Sequence, residues 1–362
     1  MKILFTGSYK DGNSGWSKAG QLYLRALNTT GVDIVSRAYK LNDSEPNLHP
    51  EVQALEEKSL DGVTHVVHCG LPHHYQYNSD FRTVGIFFTE TRDYRTTPWP
   101  RHINMLDVGI VPCLYAHEAA LNSGVKTDIK TVPVPVDLEH YENPGKIDSI
   151  EGLGEDYTFL FIGSADLRKG LPHLVRAFHM AFTPNMPVQL VIKTNKWGVG
   201  PDQLRQEVIG TLENIKQGLR LRRHYKKEVI LTDELDDNQM LALHNSCDCL
   251  VAPSLGECWG QTVIDHMALG KPVLTSNTGG FQDYVPPQQR MLSYPAQCYG
   301  ISDTFETMMT SFEDWEQIDL RSLAAGMSAV VNEKIRTIPK NRKVVEGFAL
   351  DKVGPKLLEA IK

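Results

Sequence analysis

The chain has 362 residues, 41% hydrophobic and 22% charged, a composition of soluble globular proteins and a length suited to two domains of ordinary size. A formal net charge of −7 excludes a general attraction to nucleic acid or to anionic membrane surfaces. No run approaches the roughly 20 apolar residues of a spanning helix, and the apolar part of MKILFTGSYKDG is too short for a signal peptide, so the expected location is the cytoplasm.

Met1 to Thr6 reads as a short strand, followed by a glycine-rich turn and a helix from Trp16. Gly12 and Gly15 lie in that turn, but the spacing is neither G-x-G-x-x-G nor a P-loop, so a plain strand-to-helix turn is an equal reading. Strand signals then recur with helix-length gaps at 32–37, 64–68, 83–87, 108–111 and 129–132, the alternation of a parallel, doubly wound sheet. HVVHCGLPHHY carries four histidines, yet alternation places His65 and His68 on opposite faces of the strand, which argues against a shared metal. FFTETRDYR follows a buried-looking strand and puts Glu90 and Arg92 in a loop. His117 and Glu118 fit the exposed face of a helix.

VPVPVDLEHYENP breaks the pattern, since Pro133 and Pro135 require extended backbone and Asn143-Pro144-Gly145 is turn chemistry. A second domain is therefore expected from 146, with a polar linker over 146–156. It opens with YTFLFIG and SADLRKG, where Arg168 and Lys169 precede a glycine and a helix, a position from which cations meet phosphates. A strand at 188–193 and a long helix over 202–227 follow. That helix ends in Arg220, Arg222, Arg223, Lys226 and Lys227, a basic end that the helix dipole favours. Six cysteines are scattered through apolar stretches and read as reduced, packed thiols. Cys247-x-Cys249 has no second pair at zinc-site spacing.

The richest stretch is SLGECWGQTVIDHMALGKPVLTSNTGG, from Ser254 to Gly280. A strand at 249–252 ends in Pro253, a helix runs over 260–269 with Gly270 as its stop, and the next strand at 272–276 leads into Gly279-Gly280. Glu257 precedes the helix and Asp265 lies eight positions later, about two turns along it. Between them is the helix N-terminus, whose unpaired amides and dipole favour an anion such as phosphate. A ligand with hydroxyls at both ends and phosphates between them, such as a nucleotide-sugar, fits these features.

GECWGQTVIDHMALGKPVLTSNTGG resembles the signature of retaining GT-B glycosyltransferases of the glycosyltransferase 4 type, or group 1. Glu257 matches that family's first acid, Gly260 its helix-opening glycine, Gly270 and Pro272 its turn, and Gly279 and Gly280 its last loop. Asp265 stands where the family usually has Glu, and Ser164 where it usually has Arg. The resemblance implies an α/β protein of the GT-B fold, with two Rossmann-like doubly wound parallel-sheet domains facing a cleft. The domains would be an acceptor-side domain over 1–145, a nucleotide-sugar domain over 146–341 and a C-terminal helix at 342–362 packing back across them.

It further implies a hexosyl transfer without cofactor or metal, from a UDP- or GDP-sugar to a hydroxyl of a glycan, lipid or small molecule. Glu257, Lys169, Arg168 and His68 would be catalytic. Gly12, Gly15, Ser164, Cys258, Trp259, Gly260, Gln261, Thr262 and Asp265 would line the donor site, with Thr232 to Leu235 beside the nucleobase. Glu90 and Arg92 would lie on the acceptor side. Peripheral membrane contact is compatible with this reading. A sugar phosphorylase or epimerase, a non-catalytic nucleotide-sugar binding protein and a glycosyltransferase acting on nucleic acid are the alternatives.

Overall fold

Strand β1 (Lys2–Gly7) buries Ile3 and Phe5 while Lys2, Leu4 and Thr6 stay half-buried, the two-residue period of a sheet that starts a Rossmann-like unit. A computed structural model describes the chain except residues 13, 42–47, 146–154, 197, 222–223, 299–300 and 302–313. The expected linker falls mostly in 146–154 and two of the basic residues, Arg222 and Arg223, in 222–223, outside the described residues. The chain forms two units, Met1–Glu139 with Val345–Lys362, and His140–Ile301 with Asp314–Val344.

In the first unit β1 is followed by α1 (Gly15–Asn28), β2 (Asp33–Ala38), α2 (Pro50–Glu56), β3 (His65–Cys69), β4 (Arg82–Ile86), α3 (Trp99–Ile103), β5 (Val108–Val111), α4 (Leu114–Asn122) and β6 (Asp128–Thr131). The six strands form one sheet in the order β2-β1-β3-β4-β5-β6. Every pairing in it is parallel. Helix α1 starts where the Ser14 side chain accepts a hydrogen bond from the Ser17 amide at 3.1 Å. Its buried stripe includes Tyr23, Leu24 and Leu27.

The second unit runs β7 (Tyr157–Ile162), α5 (Leu171–Ala181), β8 (Val188–Lys193), α6 (Pro201–Leu219), β9 (Val229–Leu231), α7 (Asp237–Ser246), β10 (Cys249–Ala252), α8 (Gln261–Ala268), β11 (Val273–Ser276), α9 (Phe281–Tyr284) and β12 (Arg290–Met291). Its six strands pair in the order β12-β11-β10-β7-β8-β9, all parallel, with one core face built on Phe159, Phe161, Leu190, Ile192 and Val251. An antiparallel pair, β13 (Ser293–Gln297) and β14 (Asp314–Ile318), precedes α10 (Leu320–Asn332), which packs on α5. Helix α11 (Pro339–Val345) leads back to the first unit.

The long helix expected over 202–227 is shorter. Helix α6 stops at Leu219 because Arg220 takes a left-handed conformation, φ 50°, and Lys226 is drawn to Asp156 at 3.2 Å and the Met186 carbonyl at 2.6 Å. Lys216, in the last turn of α6, is buried against Glu228 at 2.7 Å, and Glu228 also bonds His179 at 2.6 Å.

The C-terminal helix α12 (Leu350–Ile361) belongs to the first unit and packs on α1. Val353, Leu357 and Ile361 are buried, and Gly354 lets the two helices approach closely. A Cβ at Gly354 would overlap the Ala26 carbonyl oxygen and come 2.8 Å from Thr29 Oγ1. Gly354→Ala is therefore expected to destabilise the protein by about 1–3 kcal/mol in denaturant unfolding. Gly347→Ala, which meets nothing within 4 Å, serves as the control.

Candidate functional site

In the second unit the chain starts at β7, adds β8 and β9 on one side, then returns to place β10, β11 and β12 on the other. The strand order therefore reverses between β7 and β10, and ligands of open α/β sheets bind outside the carboxyl ends of the strands at such a point. The loops leaving those two strands carry Arg168 and Lys169, and Glu257.

The two loops are laced together. Asp166 shapes the first, bonding the Ser164 hydroxyl with one carboxylate oxygen and accepting the Lys169 amide at 2.8 Å with the other. The Leu255 amide donates to the Arg168 carbonyl at 2.7 Å, and the Arg168 guanidinium donates to the Gly256 carbonyl at 3.0 Å. Gly170, at φ 76°, lies against the Pro253 carbonyl, where a Cβ would not fit. These contacts deliver the Lys169 amine to Glu257 Oε2 at 2.5 Å. Burial alone would raise the Glu257 carboxyl, but the positive charges of Lys169 and Arg168, with hydrogen bonds from Lys169 and the Gly260 backbone, hold it below its ordinary value. The result is an ionised pair whose side chains are only 22% and 12% exposed.

Gly279 and Gly280 close round the same loop. The Gly280 amide donates to the Glu257 carbonyl at 3.2 Å, and a Cβ on Gly279, which has φ 59°, would overlap that oxygen. Helix α8 begins just beyond, at Gly260, whose φ of 81° and contact with the Phe281 ring require glycine. No side chain caps α8, so the first-turn amides, including those of Gln261 and Thr262, are presented at the helix end. Cys258 and Trp259 are buried, with Trp259 against the Tyr284 ring at 5.0 Å.

Asp265, on α8, accepts hydrogen bonds at Oδ1 from the Tyr141 hydroxyl at 2.6 Å and from Gln261 Nε2 at 3.0 Å. Its Oδ2 is 3.9 Å from His244 Nε2, and His244 Nδ1 is 3.2 Å from Nδ1 of the buried His266. Tyr141 escaped the sequence reading because it lies in a segment that looked only like a change of domain. Tyr141→Phe is expected to lower stability by about 0.5–1.5 kcal/mol in chemical denaturation, the ordinary worth of such a bond.

In the first unit the order reverses between β1 and β3. Gly12, at φ 56°, is in the loop after β1, and Gly15 opens α1. His68 pairs in register with Thr6, next to the end of β3. It is buried, stacked on Tyr75 at 5.3 Å, and its Nε2 is 2.9 Å from the Gln76 carbonyl. Burial lowers its pKa, which favours a neutral ring donating from Nε2 to that carbonyl. Glu90 and Arg92 follow β4; the Tyr115 hydroxyl donates to the Glu90 carbonyl at 3.3 Å, and Arg92 lies 5.9 Å from the centre of the same ring. Glu257, Lys169 and Arg168 thus meet in the second unit, with Asp265 on the adjoining helix, whereas His68, Glu90, Arg92, Gly12 and Gly15 belong to the first. Among the described residues, no group of three or more His, Cys, Asp and Glu side chains could hold a metal ion, and no helix is long and apolar enough to cross a membrane.

Residues 146–311 match the family model of the glycosyl transferases group 1. The match covers a little under half of the chain. An uncharacterized glycosyltransferase of Methanocaldococcus jannaschii is 24% identical over 137 residues, 38% of this chain and 31% of that protein, so the match spans about a third of the relative. Sucrose-phosphate synthase of Thermosynechococcus elongatus superposes with a TM-score of 0.68 at 18% identity, over 99% of this chain and 98% of its own. Anabaena HepE, in a complex with UDP-glucose, gives 0.63 at 15% identity over 99% and 98%. These likenesses show the fold, which is GT-B, with two Rossmann-like units.

Proposed function

We propose that the protein is a retaining, metal-independent glycosyltransferase that moves a hexose from a UDP- or GDP-sugar to an acceptor hydroxyl. The observation that carries this reading is the Lys169–Glu257 pair, held by two laced loops at the strand-order reversal beside the uncapped start of α8. The family match over 146–311 and the UDP-glucose bound by HepE support it.

In this reading the bond between the anomeric carbon and the diphosphate oxygen breaks, the acceptor oxygen bonds to that carbon, and the acceptor's proton passes to the departing diphosphate. Lys169 and Arg168, with the α8 amides, stabilise the negative charge that grows on the leaving group. Glu257 fixes the Lys169 amine on one side and takes the sugar's hydroxyls on the other. Asp265, with Oδ1 already held by Tyr141 and Gln261, offers Oδ2 to a ribose hydroxyl. Ser164, Cys258, Trp259, Gly260, Gln261 and Thr262 complete the donor site. On the resemblance, Gly12 and Gly15 serve the donor and His68 the transfer, while Glu90 and Arg92 serve the acceptor.

The test is release of nucleoside diphosphate from UDP-, GDP- and ADP-sugars in the presence of candidate glycan and lipid acceptors, with and without EDTA. Proton NMR of the product reads its anomeric configuration. EDTA-insensitive turnover with retention supports the proposal. Tight nucleotide-sugar binding without turnover would replace it with a non-catalytic binding protein.

A further inference from the structure

Asp265 is backed by two buried histidines to which the donor reading gives no task. His244 lies in the last turn of α7, and His266 follows Asp265 on α8; they are 1% and 0% exposed. The Lys271 amine donates to the Asn245 carbonyl at 2.7 Å and the Cys247 carbonyl at 2.5 Å, which ties the end of α7 to the turn after α8. The two rings meet through Nδ1 of each at 3.2 Å, and His244 Nε2 stands 3.9 Å from Asp265 Oδ2. The Asp265 side chain is 21% exposed against 1% for His244, so a ligand reaches the carboxylate but not the imidazole.

Two buried imidazoles in a helix contact cost desolvation that apolar side chains would not. Their protons are ordered by their surroundings. A carboxylate facing His244 Nε2 favours the tautomer with the proton on that nitrogen, because a bare lone pair there would repel the negative oxygen. Nδ1 of a neutral His244 is then an acceptor, and the 3.2 Å contact requires a proton on His266 Nδ1. Burial, followed by the nearby His244 and Lys271, pushes the His266 pKa well below its ordinary value, so that ring is neutral and holds this one proton. His266 thus donates to His244, and His244 presents its remaining N–H to the carboxylate.

Oδ1 of Asp265 is already fixed by Tyr141 and Gln261. His244 governs the other oxygen. At 3.9 Å its N–H is beyond hydrogen-bond length, so the positive end of that dipole steadies Oδ2 without using the lone pair that a ligand hydroxyl needs. Resting on the donor reading above, in which Oδ2 takes a ribose hydroxyl, we propose that His244, its tautomer set by His266, is a positioning residue that orients Asp265 to distinguish nucleotides with ribose hydroxyls from those without. A part-buried acceptor fixed in this way rejects a ligand lacking the hydroxyl, because it is left without its donor.

Isothermal titration of the full chain compares UDP and GDP with their 2′,3′-dideoxy forms, in wild type, His244→Leu and His244→Gln. Wild type is expected to bind the better of UDP and GDP at least about tenfold more tightly than its dideoxy form, the scale of one hydrogen bond to a charged group. His244→Leu fills the space without an N–H and is expected to narrow that ratio to about threefold or less, chiefly by weakening the ribonucleotide. His244→Gln, whose amide returns a donor near the position of Nε2, is expected to regain most of the ratio. Wild-type discrimination in His244→Leu, equal weakening of both forms, or a His244→Gln no better than His244→Leu would overturn the positioning role while leaving the donor site standing. If His244→Leu does not fold, nitrogen NMR of labelled histidines in wild type decides: protons on His244 Nε2 and His266 Nδ1 support the role, and the opposite tautomers overturn it. A wild type that binds neither UDP nor GDP, or binds ribose and dideoxy forms alike, would remove the ribose contact of the donor reading and this inference with it.

Discussion

Lys169→Ala is expected to lower sugar transfer by about 10²–10³-fold in kcat, the scale of removing one preorganised group that meets charge developing in the transition state. The loss should fall on kcat more than on KM, because in the proposed transfer the diphosphate gains charge as its bond to the sugar breaks. Lys169 also neutralises a Glu257 that is only 12% exposed, so the same variant is expected to cost about 1–3 kcal/mol of stability, softened by the nearby Arg168. Glu257→Gln separates the two effects, since it keeps the shape and removes the charge. The Glu257 carboxyl sits below its ordinary value in the folded protein, so its contribution to stability is present above the unfolded carboxyl pKa of about 4.3 and is lost as pH falls through the lower folded value. Glu257→Gln should therefore flatten the acid limb of the Tm–pH curve.

Gly279→Ala is expected to be nearly as damaging to transfer, although Gly279 contributes no side chain to the site. Its φ of 59° is a left-handed conformation, and its missing Cβ would occupy the position of the Glu257 carbonyl oxygen. Strain and overlap together should cost about 2–4 kcal/mol and push the Glu257 loop away from Lys169. Thermal unfolding checks the first expectation, and the kcat of the surviving folded protein the second. Gly200→Ala, in open space at the start of α6, is the matched control.

Much of this was legible in the sequence because parallel strands buried on both faces are short apolar runs punctuated by glycine and proline. The strands at 108–111, 188–193 and 249–252 were placed to the residue, and α8 to within a residue at each end. Lys169 and Glu257 were both singled out, yet their direct contact was not, because it depends on backbone bonds between loops 88 residues apart. Asp166 was missed for the same reason: an Asp near a turn is common, and only the Lys169 amide it accepts reveals its work. The end of α6 was overrun because Arg220 to Lys227 lacks the glycine or proline that usually marks a stop, and Arg220 adopts the left-handed conformation without being glycine.

A crystal structure of the protein with the nucleoside diphosphate that binds it best tests the donor site most directly. The diphosphate is expected at the reversal between β7 and β10, its oxygens bonded to the Lys169 amine and the first-turn amides of α8, with Asp265 on the ribose. A nucleotide bound elsewhere, leaving the Lys169–Glu257 pair and the start of α8 in contact only with water, would contradict it.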